Sequence, residues 1–160
     1  FVSSRKHYAA ATVDRQSDQI LAATIRDAKE KFGHLPPQQR AEKLTKYVKD
    51  LLEPEVRGKN YDSANSLLSK ENNGKRVLLG EFIRLRQGVC SHQALLLKVL
   101  ADEFPDMRCA YVRGSIGNGN HAWVEFDFGN GSLVYDPRIP RFNGTRYDQI
   151  PHKKGVLQKG

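Results

Sequence analysis

Cys90 closes the stretch Gln87-Gly88-Val89-Cys90 and opens an apolar run from Ala94 to Leu100, which places it at the start of a predicted helix. A thiol there meets unpaired backbone N–H groups and the positive end of the helix dipole. Both favour the thiolate, the reactive form of cysteine. The same N–H groups suit the oxyanion formed when a thiolate attacks a carbonyl. Two further residues complete a chemistry. His121 opens the predicted strand His121-Ala122-Trp123-Val124-Glu125, and Asp136 stands near the end of the next, in Val134-Tyr135-Asp136-Pro137. Taken singly, a buried cysteine, a surface histidine and a turn aspartate are ordinary. In the order Cys, His, Asp, each at the end of an element, they supply nucleophile, base and orienter.

From Gly88 to Pro137 the chain resembles the core of the transglutaminase-like superfamily, with its papain-like Cys-His-Asp chemistry. The resemblance rests on Gly88-Val89-Cys90, the small and leucine residues Ala94 to Leu97, the strand His121 to Glu125, and Asp136-Pro137. It implies Cys90 as nucleophile, His121 as general base and acid, and Asp136 as the residue orienting the imidazole. Phe104-Pro105-Asp106 and Ser132-Leu133 depart from the family pattern.

The hairpin between the two strands tests whether the three can meet. A two-residue turn at Asn130-Gly131, the locally favoured choice, would set His121 opposite Pro140. Asp136 would then lie roughly 13 Å along the strand. A four-residue loop over Asp127 to Asn130 sets His121 opposite Asp136, and we predict this register or a bulge that imitates it. Trp123 and Val134 then share the triad face, while Ala122, Val124, Phe126 and Tyr135 take the other. Trp123 is accordingly a candidate wall of the substrate channel, or simply core. Gln87 is a candidate side-chain donor to the oxyanion, and Gly88 would leave room for substrate.

The elements around this site read as α+β in one domain spanning 1–160, with the motif core at 87–138. Residues 1–13 are expected to be a loosely held lead-in. Leu21, Ile25, Ala28 and Phe32 recur at helical spacing up to Gly33, and Leu44, Tyr47, Val48 and Leu51 do so between Pro36-Pro37 and Pro54. A short helix near 63–70 precedes a turn at Asn72-Asn73-Gly74. A buried helix is predicted over Val77 to Leu85, and the Cys90 helix is apolar on most sides, hence central. Strands are predicted over 108–113, 121–128 and 132–136, with a mobile loop from Gly114 to Gly119.

Composition narrows the function further. The formal net charge is +8, but the basic residues are dispersed and not interleaved with aromatics, which argues against nucleic acid. Their one concentration, Lys75, Arg76, Arg84 and Arg86, suits solubility or a field that favours a thiolate and an acidic protein substrate. No stretch is long and apolar enough to cross a membrane. Two cysteines are too few for a disulfide scaffold, so free thiols in a reducing cytosol are expected. Cys90, His92, Cys109 and His121 are zinc-ligand types, but no Cys-x-x-Cys pairing supports a metal, and no cofactor is expected. A start at Phe1, without a basic-then-apolar leader, suits a fragment or a delivered effector or toxin domain. The expected reaction is acyl transfer at a protein glutamine carboxamide, by transamidation or deamidation through a thioester. The alternatives are a cysteine protease of the same fold and a basic binding module on an inactive scaffold.

Overall fold

A computed structural model describes residues 11–53, 61–116 and 119–150. Helices come first: α1 (Gln19–Phe32), α2 (Pro37–Leu52), α3 (Tyr61–Asn72), α4 (Leu79–Leu85) and α5 (Cys90–Ala101). An antiparallel sheet follows, with β1 (Arg108–Ile116), β2 (Gly119–Asp127) and β3 (Ser132–Tyr135) side by side in chain order. The architecture is α+β, as the switch from helical to two-residue periodicity implied.

Polar side chains at the helix ends set how the helices dock. Asp18 caps α1, accepting the N–H of Leu21 at 3.0 Å, and its other oxygen takes the N–H of Gly80 in α4 at 2.7 Å. Only glycine fits there, because a Cβ would lie 2.0 Å from the Asp18 carboxylate. At the far end of α1, the buried Arg40 donates to the carbonyls of Phe32, Gly33 and Leu35. Arg40 also pairs with Asp106 at 2.5 Å and lies over the Phe104 ring. One guanidinium thus joins α1, α2 and the loop leading into β1.

Helix α4 begins later than the apolar run from Val77 suggests. Thr12 donates to the Val77 carbonyl at 2.8 Å and accepts from the Leu79 N–H at 2.9 Å, so Val77 and Leu78 stay extended. Thr12 is therefore tied down, while residues 1–10 of the expected lead-in lie outside the described residues. So does Pro54; α2 ends at Leu52, with Glu53 as its C-cap. Arg86 ends α4 in the left-handed region, φ 58°. That conformation costs a residue with a Cβ about 1–2 kcal/mol, offset in part by its bond to the Asp50 carbonyl at 2.9 Å. The reversal points residues 87–89 into the start of α5.

Helix α5 lies between α2 and the sheet, and Ala94, Leu96, Leu97 and Leu100 are fully enclosed. Ala122, Val124, Phe126 and Tyr135 belong to this main core. Trp123 and Val134 face away from it and form a second cluster with Ile116, Tyr147 and Ile150. The division of residues between the two strand faces is the one expected, but Trp123 and Val134 lie on the face away from the cluster that contains Cys90 and do not share a face with it. No loop occupies Gly114–Ile116; β1 runs through these residues, and Gly114 pairs with His121.

The β2–β3 register differs from both sequence alternatives. Asp127 pairs with Ser132 and Val124 with Tyr135, enclosing a four-residue loop at 128–131. Gly129 and Gly131 adopt φ 105° and 95°, and the Gly129 N–H bonds the Asp127 carboxylate at 2.8 Å. Two glycines in the left-handed region with an aspartate cap fit a longer loop than Asn130-Gly131 alone would make. Continued one step past its last pair, this register sets Trp123, rather than His121, across from Asp136.

Candidate active site

Cys90 is the first residue of α5 and is only 6 % exposed. Its helix is capped from behind. Val89, the N-cap, has no side-chain acceptor, but its own N–H is taken by His92 Nδ1 at 3.1 Å. An imidazole thus fills the place that Glu or Gln holds in a capping box. His92 is fully buried, stacked on Phe82 at 4.0 Å, and its Nε2 meets Glu71 Oε1 at 2.7 Å. Gly88 serves the same packing. A Cβ on it would lie 3.1 Å from His92 Cβ and 3.3 Å from Leu52 Cδ1, so glycine here admits α2 and α5 rather than a substrate.

Opposite the helix mouth, β3 stops at Tyr135 while β2 continues back to Gly119. Beyond Val124, β2 therefore has no ladder partner from β3. The N–H of Ala122 goes instead to the Cys90 sulfur. His121, beside it, hydrogen-bonds the thiol as well. The other side of the ring is fixed: His121 Nε2 lies 2.5 Å from Asp136 Oδ2. With Nε2 so engaged, Nδ1 is the nitrogen left for sulfur.

Asp136 is 1 % exposed and held on three sides. Its Oδ1 accepts the Arg138 N–H at 2.8 Å, its own N–H bonds Asn143 Oδ1 at 2.7 Å, and its carbonyl takes the Ile139 N–H. Sequence alone showed the Asp-Pro strand end, but not Asn143, whose Asn-Gly-Thr context reads as an ordinary turn.

The electrostatics follow from these contacts. Burial opposes ionisation of Cys90, yet the hydrogen bond and charge of His121, the Ala122 N–H and the Arg138 guanidinium together bring its pKa below the ordinary thiol value. Burial likewise opposes the His121 cation, but bonds to Asp136 and Cys90 raise its pKa to about 9. A thiolate–imidazolium pair is the state these shifts describe. Cys109 behaves oppositely: burial, with Asp102 beside it, pushes its pKa up to about 11. Both thiols are free.

Trp123 is fully enclosed, stacked on Tyr147 at 5.4 Å, with its Nε1 donating to Glu125. It is core of the second cluster among the described residues. Gln87 is half-buried, and its backbone N–H bonds the Phe82 carbonyl. The basic concentration before Cys90 is largely spent in pairing. Arg76 meets Asp14, Arg84 meets Glu81, and Arg86 bonds a backbone carbonyl. The cation that acts on the thiol is Arg138, which sequence reading passed over. Among the described residues, no three His, Cys, Asp or Glu side chains group as metal ligands, and no helix is long and apolar enough to cross a membrane.

Three partners around one sulfur and a carboxylate behind the imidazole can ionise a nucleophile and return a proton to a leaving group. A protein-family model, EDR1/CTR1/ARMC3, peptidase-like, matches residues 2–126, which takes in Cys90 and His121 and stops short of β3. No curated protein and no solved structure matches.

Proposed function

The chain belongs to the EDR1/CTR1/ARMC3 peptidase-like family, and from that premise we propose that it is a cysteine enzyme acting on a protein amide. The observation that carries this reading is the continuous hydrogen-bonded line from Cys90 through His121 to Asp136. The transglutaminase-like resemblance of the motif accords with it.

The Cys90 thiolate attacks the amide carbonyl carbon, and the carbon–sulfur bond forms as the carbonyl electrons move onto oxygen. N–H groups of the first turn of α5, where the N-cap residue has no side-chain acceptor, are the donors available to that oxyanion. The oxyanion collapses, the carbon–nitrogen bond breaks, and imidazolium His121 gives its proton to the departing amine or ammonia. Neutral His121 then takes a proton from water or from an incoming amine, which attacks the thioester and frees the sulfur. Asp136 stays ionised throughout and keeps the ring aligned.

Two observations bear on which amide is used. With Cys90 only 6 % exposed, a glutamine carboxamide at the end of a flexible side chain reaches the sulfur more readily than a backbone peptide. The peptidase-like family favours the backbone bond. Intact-mass spectrometry of substrate proteins, incubated with the enzyme and with Cys90→Ser, distinguishes them. A gain of about one dalton, nitrogen exchanged for oxygen, marks deamidation; a cross-linked dimer marks transamidation; fragments mark proteolysis. Each product must vanish with Cys90→Ser, and a product that persists contradicts Cys90 as nucleophile.

A further inference from the structure

We propose that Arg138 is a positioning residue of this site, holding the Asp136 turn through its backbone and presenting a permanent cation to Cys90 through its side chain, with Glu53 as its anchor. The inference rests on the triad reading above. Its geometry is separate from the triad itself. Arg138 N–H donates to Asp136 Oδ1 at 2.8 Å, while its Nε lies 3.4 Å from Glu53 Oε1 at the end of α2. The same Glu53 oxygen accepts from Gln93 Nε2 at 3.2 Å and faces Lys49 Nζ at 3.6 Å. Gln93 is fully buried, one helical turn after Cys90, and its Nε2 also donates to the Gly88 carbonyl at 3.0 Å. One carboxylate thus joins Gln93, which itself ties back to Gly88 before Cys90, to the residue two positions beyond Asp136.

A permanent cation at this place has a specific use. His121 gives up its charge when it protonates the leaving group and regains it from the incoming water or amine, so its field at the sulfur varies through the cycle and falls away as pH rises through about 9. Arginine does not lose its proton in the working range, so its positive field at the sulfur is independent of the state of the imidazole. Among the described residues, the titratable and charged groups that act on the thiol are His121 from β2, Arg138 from the turn after β3, and Tyr111 from β1, whose hydroxyl takes a bond from Arg113. Asp136, Glu53 and Lys49 stand behind them. Arg138 and Glu53 are both over a third exposed, so their pair contributes little to folding. That separates a role in chemistry from one in stability.

The test is the pH dependence of iodoacetamide alkylation at Cys90, read by peptide mass spectrometry alongside thermal melts. Arg138→Gln is expected to raise the midpoint by about 0.5–1 pH unit, with the melting temperature nearly unchanged. Arg138→Lys restores most of the shift. Glu53→Gln, which keeps an acceptor for Gln93, raises the midpoint alone but adds nothing in the Arg138→Gln background, because the effect of its charge on the thiol runs through the guanidinium. A midpoint unmoved by Arg138→Gln, or equal additional shifts in the double variant, overturns the inference while a low wild-type midpoint leaves the triad standing. A wild-type midpoint in the ordinary thiol range removes both.

Discussion

Asp136 reaches His121 along a diagonal of the sheet: Oδ2 lies 2.5 Å from Nε2, although the continued β2–β3 register sets Trp123 across from the carboxylate. Diagonal neighbours in an antiparallel pair are roughly 7–8 Å apart, which suits a carboxylate and a long imidazole. The offset carries the histidine past the end of β3, where the sheet edge is open to the mouth of α5.

Asp136→Asn preserves the size of the side chain and the Asx contact to Arg138, but removes the charge that holds the imidazolium. Activity on a protein amide is expected to fall by about 10²–10⁴-fold, with the fold retained by circular dichroism. Activity within threefold of wild type would exclude Asp136 from the mechanism.

The paired shifts set a pH window. Activity should drop on the acid side as Cys90 takes up its proton, and on the alkaline side through about 9 as His121 loses its own. Stability follows the same groups with opposite signs. The folded His121 value is the higher one, so its contribution is complete below the ordinary imidazole value and is lost as pH rises through about 9. The folded Cys90 value is the lower one, so its contribution is present above the ordinary thiol value and is lost as pH falls. The gap in melting temperature between wild type and His121→Ala should therefore narrow as pH rises from the ordinary imidazole value of 6.5 to about 9.

His92→Ala leaves the Val89 N–H and the Glu71 carboxylate without their partner and opens a cavity beside Phe82. A loss of about 3–5 kcal/mol in denaturant titration is expected. A change under 1 kcal/mol would mean the buried His–Glu pair contributes no net stability.

Arg40→Met removes bonds to three carbonyls and to Asp106 from a side chain only 5 % exposed. About 3 kcal/mol should be lost, with Cys90 alkylation of the remaining folded protein unchanged, since Arg40 lies at the opposite end of α2 from Glu53. A shifted alkylation profile would show that this end of the helix pair communicates with the site.

What sequence made legible was residue type at element ends. Cysteine before an apolar run, histidine opening a strand and aspartate before proline each have a local signature. The alternation that divides Ala122, Val124 and Phe126 from Trp123 is legible for the same reason. Register was not, because it depends on two glycines adopting positive φ and on the Asp127 cap, which compete with the Asn130-Gly131 preference only in three dimensions. His92 with Glu71 and Arg138 with Glu53 were missed because their partners are distant in the chain and each residue alone looks like surface. Trp123 suggested a channel by its neighbours; its burial under Tyr147 depends on a segment with no strong pattern of its own.

The central claim is that His121 ionises Cys90. Iodoacetamide alkylation of both cysteines across pH 5–10 tests it directly, since Cys109 is an internal reference held up to about 11. The account predicts a Cys90 midpoint well below the ordinary thiol value of about 8.5, moving up by at least one unit in His121→Ala. A Cys90 midpoint at or above about 8.5, unmoved by that substitution, would contradict it.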